Sequence, residues 1–166
     1  MQRRSESSKG VSAAYRSSVG AAVVIIRIFL GVKLLLAGLQ KWDWIGTPQL
    51  KNTILHWSSS MAEGVYHNFL IHSVLPHSAF FTYLVVFGEM GVGILLIIGL
   101  CTRLSVLLAI VMNLNYLLAT WLDGPLPQGL NESFLAMEFA VLISGAGRVF
   151  GLDAVLARKR PRWILW

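Results

Sequence analysis

The chain has 166 residues, of which 55% are hydrophobic and 13% charged, with a net charge of +6 and a mean hydropathy of +0.65. Soluble domains carry about 25% charged residues, so this composition excludes an ordinary water-soluble fold and points to lipid. The basic residues gather at the ends of apolar runs and form no basic-aromatic strip for stacking bases, which excludes nucleic acid as a partner.

Residues 1–18, MQRRSESSKGVSAAYRSS, are polar, basic and Ser-rich. They read as a mobile cytoplasmic tail, because the apolar run that follows is too long for the core of a cleaved leader. Four runs approach the roughly 20 residues needed to cross a bilayer: Val19–Gln40, Ser78–Leu100, Leu104–Leu122 and the shorter Ser133–Val149. Each must be helical, since an open strand in lipid leaves its backbone unpaired. The predicted fold is all-α: a transmembrane four-helix bundle forming one domain over residues 19–160, with a short tail at 161–166. Pro48, Pro76, Pro125, Pro127 and Pro161 fall outside the four runs and read as loop markers.

The first connection, Lys41 to His77, is too long for a hairpin loop. Leu50, Ile54, Leu55, Trp57, Met61, Val65, Phe69 and Leu70 recur there among polar residues, which predicts one or two short helices lying at the membrane interface. GLDAVLARKRPRW, near the C-terminus, reads as another. Basic residues crowd the N-terminal tail, the second connection (Arg103) and the C-terminal end (Arg148, Arg158, Lys159, Arg160, Arg162). The first connection has only Lys41 and Lys51, and the third none. The positive-inside rule then places both termini in the cytoplasm of a bacterial-type inner membrane. Trp42, Trp44 and Trp121 at the outer helix ends, with Trp163 and Trp166 near the inner surface, suit headgroup anchoring.

Arg27, Lys33, Glu89, Glu138, Asn113 and Asn115 lie inside the apolar runs. An ionisable residue at membrane depth costs roughly 2.5–3.5 kcal/mol on insertion scales, so each should face the bundle and find a partner. Counting about 1.5 Å per residue puts Arg27 level with Glu89, and Lys33 level with Glu138. The two cations point about 120° apart, toward different neighbours. The expectation is two intramembrane ion pairs, serving as helix-packing locks or as a proton path, with Asn113 and Asn115 as polar pocket residues. Gly31, Gly38, Gly88, Gly91, Gly93, Ser144, Gly145 and Gly147 supply small surfaces for close helix packing.

No metal site is expected. His56, His67, His72 and His77 all fall in the first connection without HExxH spacing, and Cys101 is a lone cysteine with no CxxC. Whether any of the four histidines holds a ligand is left open by their spacing.

RIFLGVKLLLAGLQKW, GEMGVGILLIIGLCTR and GAGRVFGLDAVLARK, in that order and spacing, resemble the DoxX/DoxD family of four-helix membrane proteins. The family pattern falls on Arg27, Gly31, Gly38 and Lys41, on Glu89, Gly99, Thr102 and Arg103, and on Gly145, Gly147, Leu152 and Asp153. Gly151 stands where the family often has Ser. The resemblance implies a membrane subunit of the kind found in thiosulfate:quinone oxidoreductase. It suggests an accessory or anchoring protein that is not an enzyme on its own, packing against lipid, quinone, pigment or other redox subunits. The alternatives are the quinone-side subunit itself and a small-solute or proton carrier.

Overall fold

The computed structural model describes residues 2–159, with side chains over 18–158; the expected C-terminal tail at 161–166 lies outside the described residues. Among the described residues all regular structure is helical. Helix α1 spans Gln2–Gln40, so its backbone begins within the segment expected to be a tail. The first connection folds into α2 (Gln49–Ser60) and α3 (Val65–Phe69), the latter running on through a π-turn at Leu70–Val74. Then come α4 (Ser78–Ile98), α5 (Thr102–Ala119), α6 (Pro125–Ser144) and α7 (Leu152–Lys159).

Helices α1, α4, α5 and α6 form the bundle, each packed against two others in the ring α1–α4–α5–α6. Leu30, Leu34, Val92, Leu96, Val106 and Val141 fill its centre. The segments Ser18–Trp44, Ser78–Ile98 and Thr102–Ala119 are each long and apolar enough to cross a membrane, and their outward faces carry many exposed Leu, Ile, Val and Phe side chains. The fold is that of an integral membrane protein. Helix α2 buries Leu50 and Ile54 against Leu70 and Val74, which caps one end of the bundle. Helix α7 lies at the opposite end.

The fourth helix differs from its expected limits of Ser133–Val149. It starts at Pro125, so Pro125 and Pro127 are not loop residues as their position outside the apolar runs suggested. Proline is tolerated in a first turn, where the N–H has no intrahelical acceptor. Hydropathy missed this half of the helix because PLPQGLNES is polar. The helix ends at Ser144 because Gly145 turns left-handed at φ 65°.

Helices α1 and α4 approach closely. A Cβ on Gly93 would lie 2.6 Å from the Leu35 nitrogen and 2.7 Å from the Gly31 oxygen, and one on Gly38 would lie 2.9 Å from the Val86 oxygen. Gly91, from the same GEMGVG stretch, faces open space. These contacts set the register. Gly31 lies against Gly93 and Ile97, and Gly38 against Val86 and Met90, so α4 begins about eight residues, or about 12 Å, beyond the end of α1.

Candidate functional site

That register overturns the expected ion pairs. Arg27 lies near Gly99 rather than Glu89. Its guanidinium donates to the carbonyls of Ala146 at 2.8 Å, Val149 at 3.3 Å and Phe150 at 3.2 Å. Those carbonyls follow the C-terminus of α6, where the helix dipole favours a cation. Asp153 lies within electrostatic reach of Arg27 and is fully buried. Its carboxylate accepts the Cys101 N–H at 2.7 Å and the Thr102 N–H at 2.8 Å, and its own N–H donates to Gly99 O at 2.9 Å. Asp153 thus caps α5 from another helix, replacing a local cap that Cys101, at φ 48°, does not supply. Arg27, Gly99, Thr102, Gly147 and Asp153 are five positions of the family pattern, gathered into one lock at the α7 end.

Glu89 pairs instead with Lys41. A helical side chain leans toward the N-terminus of its helix, so Lys41 reaches back along α1. Its Nζ sits 3.4 Å from the Ala37 oxygen, 2.9 Å from Glu89 Oε1 and 2.8 Å from Oε2. Tyr116 donates to Glu89 Oε1 at 2.6 Å, and the Lys41 ammonium lies 5.4 Å from the Tyr116 ring centre.

The expected Lys33–Glu138 pair does not form either. Lys33 is exposed, with its ammonium 5.5 Å from the Phe29 ring centre, an arrangement suited to a cation–π contact. Glu138 is fully buried and accepts a short hydrogen bond from Asn113 Nδ2; its second oxygen has no partner among the described residues. Three of the four expected charges do share one space, with Lys41 in place of Arg27. Lys33, Lys41, Glu89 and Glu138 line one partly open cavity of about 240 Å³ among the bundle helices, together with Asn113, Tyr116 and Asn131.

Asn115 belongs elsewhere. Two residues along a helix is about 200° of rotation, so Asn113 and Asn115 face opposite ways. Asn115 Oδ1 accepts from the Tyr66 hydroxyl at 2.7 Å and lines a second cavity of about 190 Å³ beneath the cap. That cavity is walled by Trp44, Trp57, Tyr66, Phe69 and Phe81 with aliphatic residues of α2, α4 and α5. Burial pushes the Tyr66 hydroxyl up to about 12. Tyr116 lines both cavities.

Tyr116 and Asn131 are uncharged site residues that the pattern of ionisable groups does not reveal. Tyr116 carried a usable signal, because three residues from Asn113 it shares that helix face. Lys41 was visible in the family pattern, but its place after the apolar run hid its reach into the bundle. Among the described residues no group of three or more His, Cys, Asp and Glu could hold a metal ion. His56, His72 and His77 are exposed, and His67 is half-buried.

An all-α bundle with apolar outer faces, a charged interior and an amphipathic cap defines a small integral membrane protein with an internal polar site. A family profile described as "TQO small subunit DoxD" matches residues 22–165, and the chain belongs to that DoxD family. No solved structure matches it.

Proposed function

We propose that this chain is the membrane subunit of a thiosulfate:quinone-type oxidoreductase, anchoring the assembly and providing its quinone pocket. The observation that carries this reading is the apolar, aromatic-walled cavity whose inner wall, Tyr116, is hydrogen-bonded to the buried Glu89–Lys41 pair. A quinone needs an apolar slot for its ring and tail, and a few polar groups that orient it. Reduction to the quinol also needs a proton donor within reach. Tyr116, backed by Glu89 and Lys41, supplies such a donor at the pocket wall, and Tyr66 and Asn115 supply polar groups nearer the cap.

The chain brings no thiol pair and, among the described residues, no cluster that could hold a metal. The electrons would come from a partner subunit that oxidises the sulfur substrate. The accessory and quinone-side roles are then one role: anchoring the complex and presenting the acceptor. Placing the cap on the outer side and both termini in the cytoplasm of a bacterial inner membrane belongs to the same proposal, on the distribution of Lys and Arg. A carrier needs one cavity joining Glu89, Asn113 and Asn115, whereas Asn115 lines the other cavity.

A photoreactive quinone analogue tests the reading in membranes containing the full chain. Labelling is expected at Tyr66–Val74 and at Val111–Tyr116, and should be lost in Leu70→Trp, where the larger side chain fills the pocket. Labelling confined to lipid-facing positions such as Leu107 would reject it.

A further inference from the structure

The Lys41–Glu89–Tyr116 chain leaves one buried carboxyl unused. Glu138 has one oxygen on Asn113 and the other without a partner among the described residues, beside a cavity with room for several waters. An orphaned buried carboxyl oxygen is costly unless water or a proton satisfies it. The groups sharing its cavity are Lys33 from α1, Lys41 just after it, Glu89 from α4, Asn113 and Tyr116 from α5, and Asn131 from α6. Both ends of a proton route are therefore in one space: Glu138 at one wall, and the Tyr116–Glu89 pair at another.

We infer that Glu138 is the internal proton donor that recharges Tyr116 through water in the bundle cavity. This rests on the quinone reading. Reduction of a quinone to its quinol takes two electrons, from a partner subunit's oxidation of a reduced sulfur anion such as thiosulfate, and two protons. The Tyr116 hydroxyl turns from Glu89 Oε1, to which it donates at rest, and gives its proton to a quinone oxygen. The Glu138 O–H bond breaks, and its proton crosses cavity water to restore the Tyr116 hydroxyl. Glu138 takes a proton from the aqueous side, and the second proton follows by the same route. Electrons end on the quinone, which leaves with two new O–H bonds. Glu138 touches neither the quinone nor the electron donor, so it acts through Tyr116.

The test uses membranes with the intact complex, thiosulfate as reductant and decylubiquinone as acceptor. In Glu138→Gln, kcat is expected to fall about tenfold or more, with KM for decylubiquinone changed less than about twofold. The solvent deuterium isotope effect should rise, and Glu138→Asp should restore part of the rate. A measurement on the unmodified protein guards against a variant that fails to fold. The infrared difference between its oxidised and reduced states should contain a protonated-carboxyl band that shifts in deuterium oxide. A folded Glu138→Gln with unaltered rate and pH profile, or the absence of that band during quinone turnover, overturns the assignment and leaves the quinone pocket standing. Failure of the unmodified protein to bind decylubiquinone overturns both.

Discussion

Lys41 lies just beyond the last residue of α1, yet its ammonium rests 2.8 Å from Glu89 Oε2, well inside α4. Glu89 is 1% exposed and Lys41 18%. Removing one member of such a pair strands the other charge, at a cost of about 3–5 kcal/mol. Lys41→Met and Glu89→Leu should each lower thermal stability in detergent by about that amount, and the double variant should recover much of the loss. Equal additivity of the two effects would show that they do not interact.

Arg27 and Glu89, by contrast, should not couple. Arg27 donates to three carbonyls, and hydrogen bonds to charged groups contribute about 1.5–3 kcal/mol each. Arg27→Ala should destabilise by at least about 3 kcal/mol. Arg27→Lys should recover little, since an ammonium cannot span the three acceptors as the guanidinium fork does. A double-mutant cycle between Arg27→Lys and Glu89→Gln, read by thermal unfolding, should give a coupling near zero.

Removing the Asp153 carboxylate should open the α4–α5 turn. Asp153→Ala loses the cap on the Cys101 and Thr102 N–H groups, and loss of a capping residue costs roughly 0.5–2 kcal/mol. Hydrogen exchange at the first turn of α5 should accelerate while the middle of α5 stays protected.

Two glycines only two residues apart, Gly91 and Gly93, separate packing from propensity. Gly93→Ala forces a Cβ to within 2.6 Å of the α1 backbone, whereas Gly91→Ala meets nothing within 4 Å. The first should disrupt α1–α4 packing. The second should be neutral or stabilising by up to about 1 kcal/mol, the helix-propensity gain of Ala over Gly. Paired melting curves check this.

The Tyr66 hydroxyl, raised from 10.0 to about 12 by burial, gives an alkaline limb to stability. Its folded-state value lies above the unfolded one, so this contribution is fully present below pH about 10 and is lost as pH rises toward 12. Tyr66→Phe should flatten that limb, measured as unfolding temperature against pH.

The bundle was legible in the sequence because lipid enforces long apolar helices. Leu34, Val92 and Val106 belong to runs that could be little else. The pairings were not legible, because levels across a bundle depend on where each helix begins. Counting residues alone puts Arg27 opposite Glu89, but α4 begins about 12 Å beyond the end of α1, which brings Gly99 there instead. The polar first half of α6 escaped hydropathy for the same reason that it matters. Asn131 and Glu138 turn inward, so polarity there marks an interior face. Tyr116 escaped because a tyrosine in an apolar run looks like packing until its hydroxyl is seen on Glu89.

The Arg27 lock also has a consequence in time. Arg27 and its acceptor Ala146 are 119 residues apart. At roughly 5–20 residues per second of synthesis, the first span waits about 6–24 s for the carbonyls that will hold its cation. Until then a guanidinium sits in a newly inserted helix with no acceptors of its own. The turn after α6 therefore closes the lock, and a ribosome halted before Ala146 leaves a nascent protein whose Arg27 has not yet met these carbonyls.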